Sequence, residues 1–220
     1  MNRPQPYELP LFPLNTVLFP GMPLPLHIFE ERYRLLVNEC LRDHTTFGAV
    51  LIKSGPEVGA PAEPHSIGTS TRIVSVERLP EGRFNIETVG EDRFRILELR
   101  HHRPYLSGIV ESYPMSDADS PTALTLAGRL RRWVGRYMTM LAKAADTPFD
   151  FNRLPNDPLA LAYLAAIVLQ TPNGAKQSLL ALPSLVELLE RERRIYRNEI
   201  VILQTLLNHI PAEDLPFSTN

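Results

Sequence analysis

Cysteine is almost absent. Cys40 is the single one among 220 residues, so no disulfide can close within the chain and a reducing compartment, the cytoplasm, is expected. Lysine is nearly as scarce, standing only at Lys53, Lys143 and Lys176. Arginine supplies the other cations, and a GC-rich genome explains that as well as carboxylate recognition does. Neither sign of charge dominates: the formal net charge is -2, which excludes an overall basic field for nucleic acid or anionic lipid. No apolar run reaches the roughly 18 residues of a membrane span, and the first ten residues do not read as a signal peptide. No Gly-x-x-x-x-Gly-Lys-Ser/Thr occurs, which excludes a Walker phosphate loop. The remainder is ordinary globular composition, 44% hydrophobic and 22% charged, long enough for one large domain or two small ones.

Proline is what the chain has in quantity. Between Leu9 and Tyr33 five prolines and Gly21 punctuate a segment that is otherwise almost wholly apolar. Proline fixes φ and removes a donor, so this segment is neither a central strand nor a long helix. It reads as short edge strands around a kinked loop at Pro20-Gly21, leading into a helix over Ile28–Leu41. On that helix Phe29, Tyr33, Leu36, Val37 and Cys40 share one face, and His27 just before it suits capping or a turn.

The first half is otherwise β. Phe47–Ile52 fits a buried strand, Ile67–Leu79 a second, and Pro80-Glu81-Gly82 a turn. Phe84, Ile86 and Thr88 return at period two. Gly90-Glu91-Asp92 reads as another turn, followed by strands at Phe94–Leu99 and Tyr105–Glu111. Tight turns between successive strands predict an antiparallel meander closing into a small barrel or sandwich over residues 1–113. A polar, proline-flanked linker follows at 114–121, and residues 122–220 read as a helical bundle. Its helices run over Leu124–Ala144, Leu159–Gln170 behind an Asp157-Pro158 start, Lys176–Ala181, and a last long helix to Asn208. Ser184-Leu185-Val186-Glu187 has the spacing of a capping box opening that helix. Leu185, Leu188, Leu189, Ile195, Ile202, Leu203 and Leu206 are its expected inner face.

Chemistry-bearing clusters are few. His101 and His102 are adjacent and diverge on an extended chain, with no Cys or acidic pair at ligand spacing, so no metal site is expected. Glu192 and Glu199 fall on or beside the last apolar stripe. They pair more simply with Arg129, Arg131, Arg132 and Arg136 across the bundle than they act as acid and base. Arg93, Arg95, Arg100 and Arg103 gather cations, but Glu91, Asp92 and Glu98 interrupt any basic stripe.

Three blocks carry a family resemblance. Leu9-Pro10-Leu11-Phe12-Pro13-Leu14, then Val17-x-Phe19-Pro20-Gly21, then Leu24-x-Leu26-x-Ile28-Phe29-x-x-Arg32-Tyr33 form the first. Phe47-Gly48-Ala49-Val50 is the second. Ile67-Gly68-Thr69, Leu79–Phe84 and Gly90-x-x-Arg93-Phe94-x-Ile96 make the third. Together with Asp157-Pro158 and Lys176-Gln177-x-Leu179-Leu180, these resemble the LON substrate-binding domain, the N-terminal domain of Lon proteases that also occurs free-standing. The resemblance implies an α+β protein, a PUA-like, mostly antiparallel β pseudobarrel followed by a C-terminal helical bundle. Nothing in the sequence resembles the ATPase motor or the Ser-Lys dyad of those proteases. The implied function is therefore a non-catalytic module for unfolded or extended polypeptide segments, in the setting of a protease or chaperone system. The alternative is an RNA-binding PUA-like protein.

Expected, then, are no catalytic residue, no cofactor, no metal and no membrane partner; nucleic acid is disfavoured and an oligomer is compatible. Candidate peptide-binding residues are Phe19, Met22, Leu24, Leu26 and Phe29. They would wall a site at the seam of barrel and bundle, or else seal the core. Pre-restricted prolines would lower the entropy cost of docking there, and a client could pair with the strand edge they leave open.

Overall fold

The structure, a computed structural model, describes residues 5–59, 62–145, 147 and 149–209. Among them are strands β1 (Tyr7–Leu14), β2 (Pro23–Ile28), β3 (Phe47–Ser54), β4 (Glu63–Pro64), β5 (Ile67–Arg78), β6 (Phe84–Arg100) and β7 (Ser107–Ser112). The helices are α1 (Glu31–Asp43), α2 (Pro121–Ala144), α3 (Pro158–Val168), α4 (Asn173–Leu180) and α5 (Leu185–His209). The sheet order β1-β7-β6-β5-β3 returns to β1 through a β1–β3 pairing, so the strands close on themselves. Every pairing is antiparallel except that closing one. The expected α+β pseudobarrel with C-terminal helices is what forms.

β1 closes the barrel without being an edge strand. Tyr7–Pro10 pair with β7, and Leu11–Leu14 pair with β3. Each half therefore has a partner on one side only, which leaves room for Pro10 and Pro13 to lack a donor. Inside, Leu9, Leu11, Val50, Phe94 and Val110 form one buried cluster. A second joins Phe12, Ile28, Tyr33, Leu36, Phe47 and Phe84.

Gly90-Glu91-Asp92 does not turn. β6 runs through it for 17 residues. Its first half lies between β2 and β5, whereas Phe94 and Arg95 lie between β5 and β7. One edge of β6 thus changes partner from β2 to β7 at the Gly-Glu-Asp step. The change is marked by a bulge, with Thr69 opposite Arg93 but Thr71 opposite Gly90. The Ser70 hydroxyl accepts from the Asp92 N–H at 3.0 Å and lies 3.2 Å from the Asp92 carbonyl, to which it donates. Glycine is required at 90 for space: a Cβ there would sit 2.5 Å from the Phe19 carbonyl oxygen.

The chain divides into two compact units, Met1–Pro114 with Ile167–Pro183, and Met115–Ala166 with Ser184–Asn220. The expected division at 114–121 is therefore incomplete, because the segment around α4 belongs with the barrel. The reason is a buried cation. Arg93, 3% exposed, donates from Nη1 to the carbonyls of Leu180 at 2.6 Å and Leu182 at 2.7 Å. Tyr113 donates to the Ala181 carbonyl between them, and Gln177 donates to the Ile67 carbonyl at 3.0 Å. The guanidinium closes the C-terminal end of α4, where backbone carbonyls are left over.

In the second unit the capping of α5 is tertiary. Ser184 accepts from Glu187 N–H at 3.2 Å, as the capping-box spacing predicts. The rest comes from Asp117, held at φ 54°, whose Oδ1 accepts from Leu185 N–H and whose Oδ2 accepts from the Ser184 hydroxyl. The expected linker therefore contains a capping residue. The buried face of α5 runs through Leu185, Leu188, Leu189, Glu192, Tyr196 and Ile200. Ile202 is exposed, which departs from the expected stripe, and the Leu206 side chain lies outside the described residues. Beyond Glu192 the buried face continues in steps of four, through Tyr196 and Ile200, and so leaves Ile195 and Ile202 off it.

Glu192 is fully buried, and neither carboxylate oxygen has a hydrogen-bond partner among the described residues. The expected ion pairs do not form around it. Arg131 instead donates to the Leu154 and Pro155 carbonyls, and no ion pair among the described residues uses Arg129, Arg131, Arg132 or Arg136. Burial pushes the Glu192 carboxyl well above the ordinary carboxylate range.

Two stability measurements check these contacts. Replacing Arg93 by Leu strands the Leu180 and Leu182 carbonyls and should lower urea stability by about 2–4 kcal/mol. Glu192 keeps a proton in the folded state that the unfolded chain releases. Its contribution is thus greatest below the ordinary carboxylate pKa and declines as pH rises above it. Glu192→Leu should accordingly gain on the parent from pH 5 to pH 8, by about 1–3 kcal/mol at the upper end, read from urea midpoints across that range.

Candidate functional site

The proline-rich segment folds into a tight turn and a short strand. Met22 N–H donates to the Phe19 carbonyl at 3.0 Å, with Pro20 and Gly21 between them and Gly21 at φ 78°. That is the proline-glycine order of a type II turn. Gly21 N–H donates to the Gly90 carbonyl and Gly90 N–H to the Met22 carbonyl, which pins the turn onto β6. β2 then pairs along β6 from Pro23 opposite Val89 to Ile28 opposite Phe84. Buried threonines complete the seating, Thr69 donating to the Leu18 carbonyl at 2.6 Å and Thr88 to the Leu24 carbonyl at 2.7 Å.

The candidate residues separate by position. Phe19 is 0% exposed, a core residue that presents no surface, because the turn it opens is pressed against Gly90. Met22, Leu24 and Leu26 are half-buried, each packed against the cluster around Ile28 and Phe84. Phe29 lies outside α1, which begins only at Glu31, and is 50% exposed. The expected helical face therefore loses Phe29 and keeps Tyr33, Leu36, Val37 and Cys40.

Two adjoining hollows flank Leu26 and His27. One, of about 240 Å³, has Phe12, Leu14, Ile28 and Tyr33 for a floor, with Phe29 and Val58 at its rim. Val58 is 54% exposed, so two large apolar side chains stand in water at its mouth. Burial holds the Tyr33 phenol up at about 12, and the Arg32 guanidinium stacks on its ring at 4.5 Å. The other hollow, of about 540 Å³, overlies the β2, β6 and β5 strands at Pro25, Asn85 and Ser75. His27 is a strand residue, not a cap, lying opposite Asn85, which in turn lies opposite Glu77. Asn85 Nδ2 donates to Glu77 at 2.7 Å, so its Oδ1 is the acceptor for His27 Nδ1 at 2.8 Å. The His27 and Phe29 rings stack with centroids 6.0 Å apart.

The strand edge beyond β2 suits a client poorly. Pro23 and Pro25 carry no N–H, and a proline within a sheet sits where its missing donor faces away from the partner strand. The open edge lacks those donors, a feature that discourages strand addition.

The arginine cluster is dispersed. Arg93 is buried, Arg95 pairs with Glu111, Arg100 with Glu98, and Arg103 with Glu39. Cys40 is buried and its thiol is pushed up to about 11, so it is no nucleophile. Among the described residues no group of His, Cys, Asp or Glu is arranged to hold a metal ion, and no helix is long and apolar enough to cross a membrane.

The closed pseudobarrel with its returning α4 segment defines a structural class shared with Lon N-terminal domains. The Lon N-terminal domain protein from Xanthomonas campestris matches 93% of this chain and 99% of its own, at TM-score 0.61 and 28% identity. The N-terminal domain of the Mycobacterium avium complex Lon protease matches 87% of this chain and 98% of its own, at TM-score 0.67; at 20% identity it shows the fold alone. Residues 8–197 match the family described as the ATP-dependent protease La (LON) substrate-binding domain, and the chain belongs to that family. The Lon protease of Anaeromyxobacter dehalogenans (strain 2CP-C) is 29% identical and Lon protease 2 of Myxococcus xanthus 30%, each over 87% of this chain. The chain spans 24% of the length of both.

If Phe29 and Val58 are solvent-facing rims and not core, Phe29→Asp should change the urea midpoint free energy by no more than about 0.5 kcal/mol. Phe19→Ala, which empties a core site, should cost about 3–5 kcal/mol in the same assay.

Proposed function

We propose that this protein is a non-catalytic module that holds extended or unfolded polypeptide segments in the hollow between Leu26, Phe29 and Val58. The observation that carries the reading is the pair Phe29 and Val58, half exposed over an apolar floor of Phe12, Leu14, Ile28 and Tyr33. Large apolar side chains held in water around a concave apolar floor are the usual mark of a binding surface. Membership of a family described as substrate-binding supports the same reading, as does the matched region of the relatives, which covers only a quarter of their length. Peptide side chains enter the hollow while Pro23 and Pro25 keep its wall stiff, so little loop entropy is lost on docking. Met22 and Leu24 support that wall from below. The chain binds and does not cleave; in a cell it works in the setting of a protease or chaperone system, within the cytoplasm.

Fluorescence anisotropy with a labelled, permanently unfolded polypeptide tests this. Binding should saturate, and Phe29→Asp should weaken it by about ten-fold, the effect of losing one well-packed apolar contact. Absence of binding to any unfolded polypeptide overturns the proposal. So does peptide cleavage or ATP turnover that purifies with the protein and disappears in a variant of its own residues.

A further inference from the structure

The hollow beside Phe29 is apolar, but its surroundings are acidic and unneutralised. Glu57 lines it and accepts only neutral donors, the Asn15 N–H at 3.0 Å and the Asn15 amide at 2.8 Å. Glu77 and Glu87 line the adjoining hollow, which shares Leu26 and His27 with the first. Glu77 accepts from the Asn85 amide, again a neutral donor. None of Glu57, Glu77 or Glu87 has a cation at ion-pair distance among the described residues. Most other carboxylates of this unit are matched, among them Glu30 by Arg32, Glu91 by Arg72, Glu111 by Arg95, and Glu39 by Arg103, whereas Glu31 and Asp92 also lack a cation at ion-pair distance among the described residues. Glu57, Glu77 and Glu87 thus bring three carboxylates without a paired cation to the lining of these two hollows, in a chain whose net charge is only -2.

We infer that the occupant of this surface is a polypeptide segment in which a bulky apolar side chain is flanked by arginine or lysine. The apolar side chain fills the hollow under Phe29 and Val58, and the flanking cations face Glu57 on one side and Glu77 and Glu87 on the other. The segment supplies the cations that these carboxylates lack. Acidic segments are repelled by the same groups, so the surface discriminates as well as attracts. This inference rests on the polypeptide-binding reading above and adds the chemistry of what is bound.

Three labelled peptides with one Phe-Leu centre and flanks of Arg/Lys, Ser or Asp/Glu separate the two claims. The basic peptide should bind about three- to ten-fold more tightly than the serine one at low salt, the size expected of two or three exposed charge pairs. The acidic peptide should bind more weakly than either. The differences should shrink between about 0.05 and 0.5 M salt as the Debye length falls. Glu77→Lys/Glu87→Lys should abolish or reverse the order of the basic and acidic peptides relative to the serine one. Glu87→Lys alone, which disturbs no hydrogen bond to Asn85, should shift it in the same direction. Equal affinity for the basic and serine peptides overturns the inference and leaves polypeptide binding standing. A basic preference untouched by both variants also overturns it. Failure of all three peptides to bind overturns both readings, and sedimentation as a dimer with the peptides excluded assigns the surface to a second copy instead.

Discussion

The contact of the Phe19 carbonyl with Gly90 controls how this barrel is assembled. The Pro20-Gly21 turn lies directly on β6, exchanging hydrogen bonds with Gly90 on both sides. No side chain fits at that point. Because the turn is seated there, β2 can run beside the first half of β6 and leave the second half to β7. The bulge at Gly90–Asp92 is the place where one edge of a long strand passes from one partner to the next. One wall of the Phe29 hollow, Leu26 to Ile28, is set by where β2 lies.

Immediately after the bulge comes Arg93, whose guanidinium reaches the carbonyls of Leu180 and Leu182. A cation so fully buried is costly to desolvate, and several hydrogen bonds are needed to offset it. Here the C-terminal end of α4 supplies carbonyls that would otherwise be left over, and Tyr113 lies under the guanidinium at 4.8 Å. The barrel thereby recruits a segment, Ile167–Pro183, that lies 53 positions beyond the end of its first piece at Pro114. The helical unit is consequently made of two pieces, and its long helix α5 begins at a cap supplied by Asp117 from the far piece. Both tertiary ties join a polar side chain to the end of a helix.

The hollow beside Phe29 combines stiffness with exposure. Its wall is a proline-bearing strand paired on one side, and its floor is the main core cluster of the barrel. Phe29 and Val58 stand above it because β2 ends at Ile28 and α1 starts only at Glu31. That short junction turns Phe29 outward from the helical face that its spacing suggests. Burial is then decided by which element a residue belongs to, and a shift of three residues in a helix start exchanges a core side chain for an exposed one.

Much of the fold was legible in the residues. Period-two segments became strands, the Pro20-Gly21 and Pro80-Glu81-Gly82 turns formed, and Asp157-Pro158 and Ser184 opened helices, because turns and caps depend on neighbours within four residues. The candidate segment was legible too, since proline content and apolarity are local properties. Partner exchange was not. Whether Gly90 turns a chain or admits the Phe19 carbonyl depends on a residue 71 positions away. The same holds for Arg93, whose partners lie 87 and 89 positions on, and for Glu192, whose burial depends on α2 closing over α5. Residues a few positions apart set local conformation and the family pattern; contacts between distant segments set which carboxylates went unmatched and which apolar side chains met water. Charge compensation and burial are properties of distant neighbours, and no local pattern encodes them.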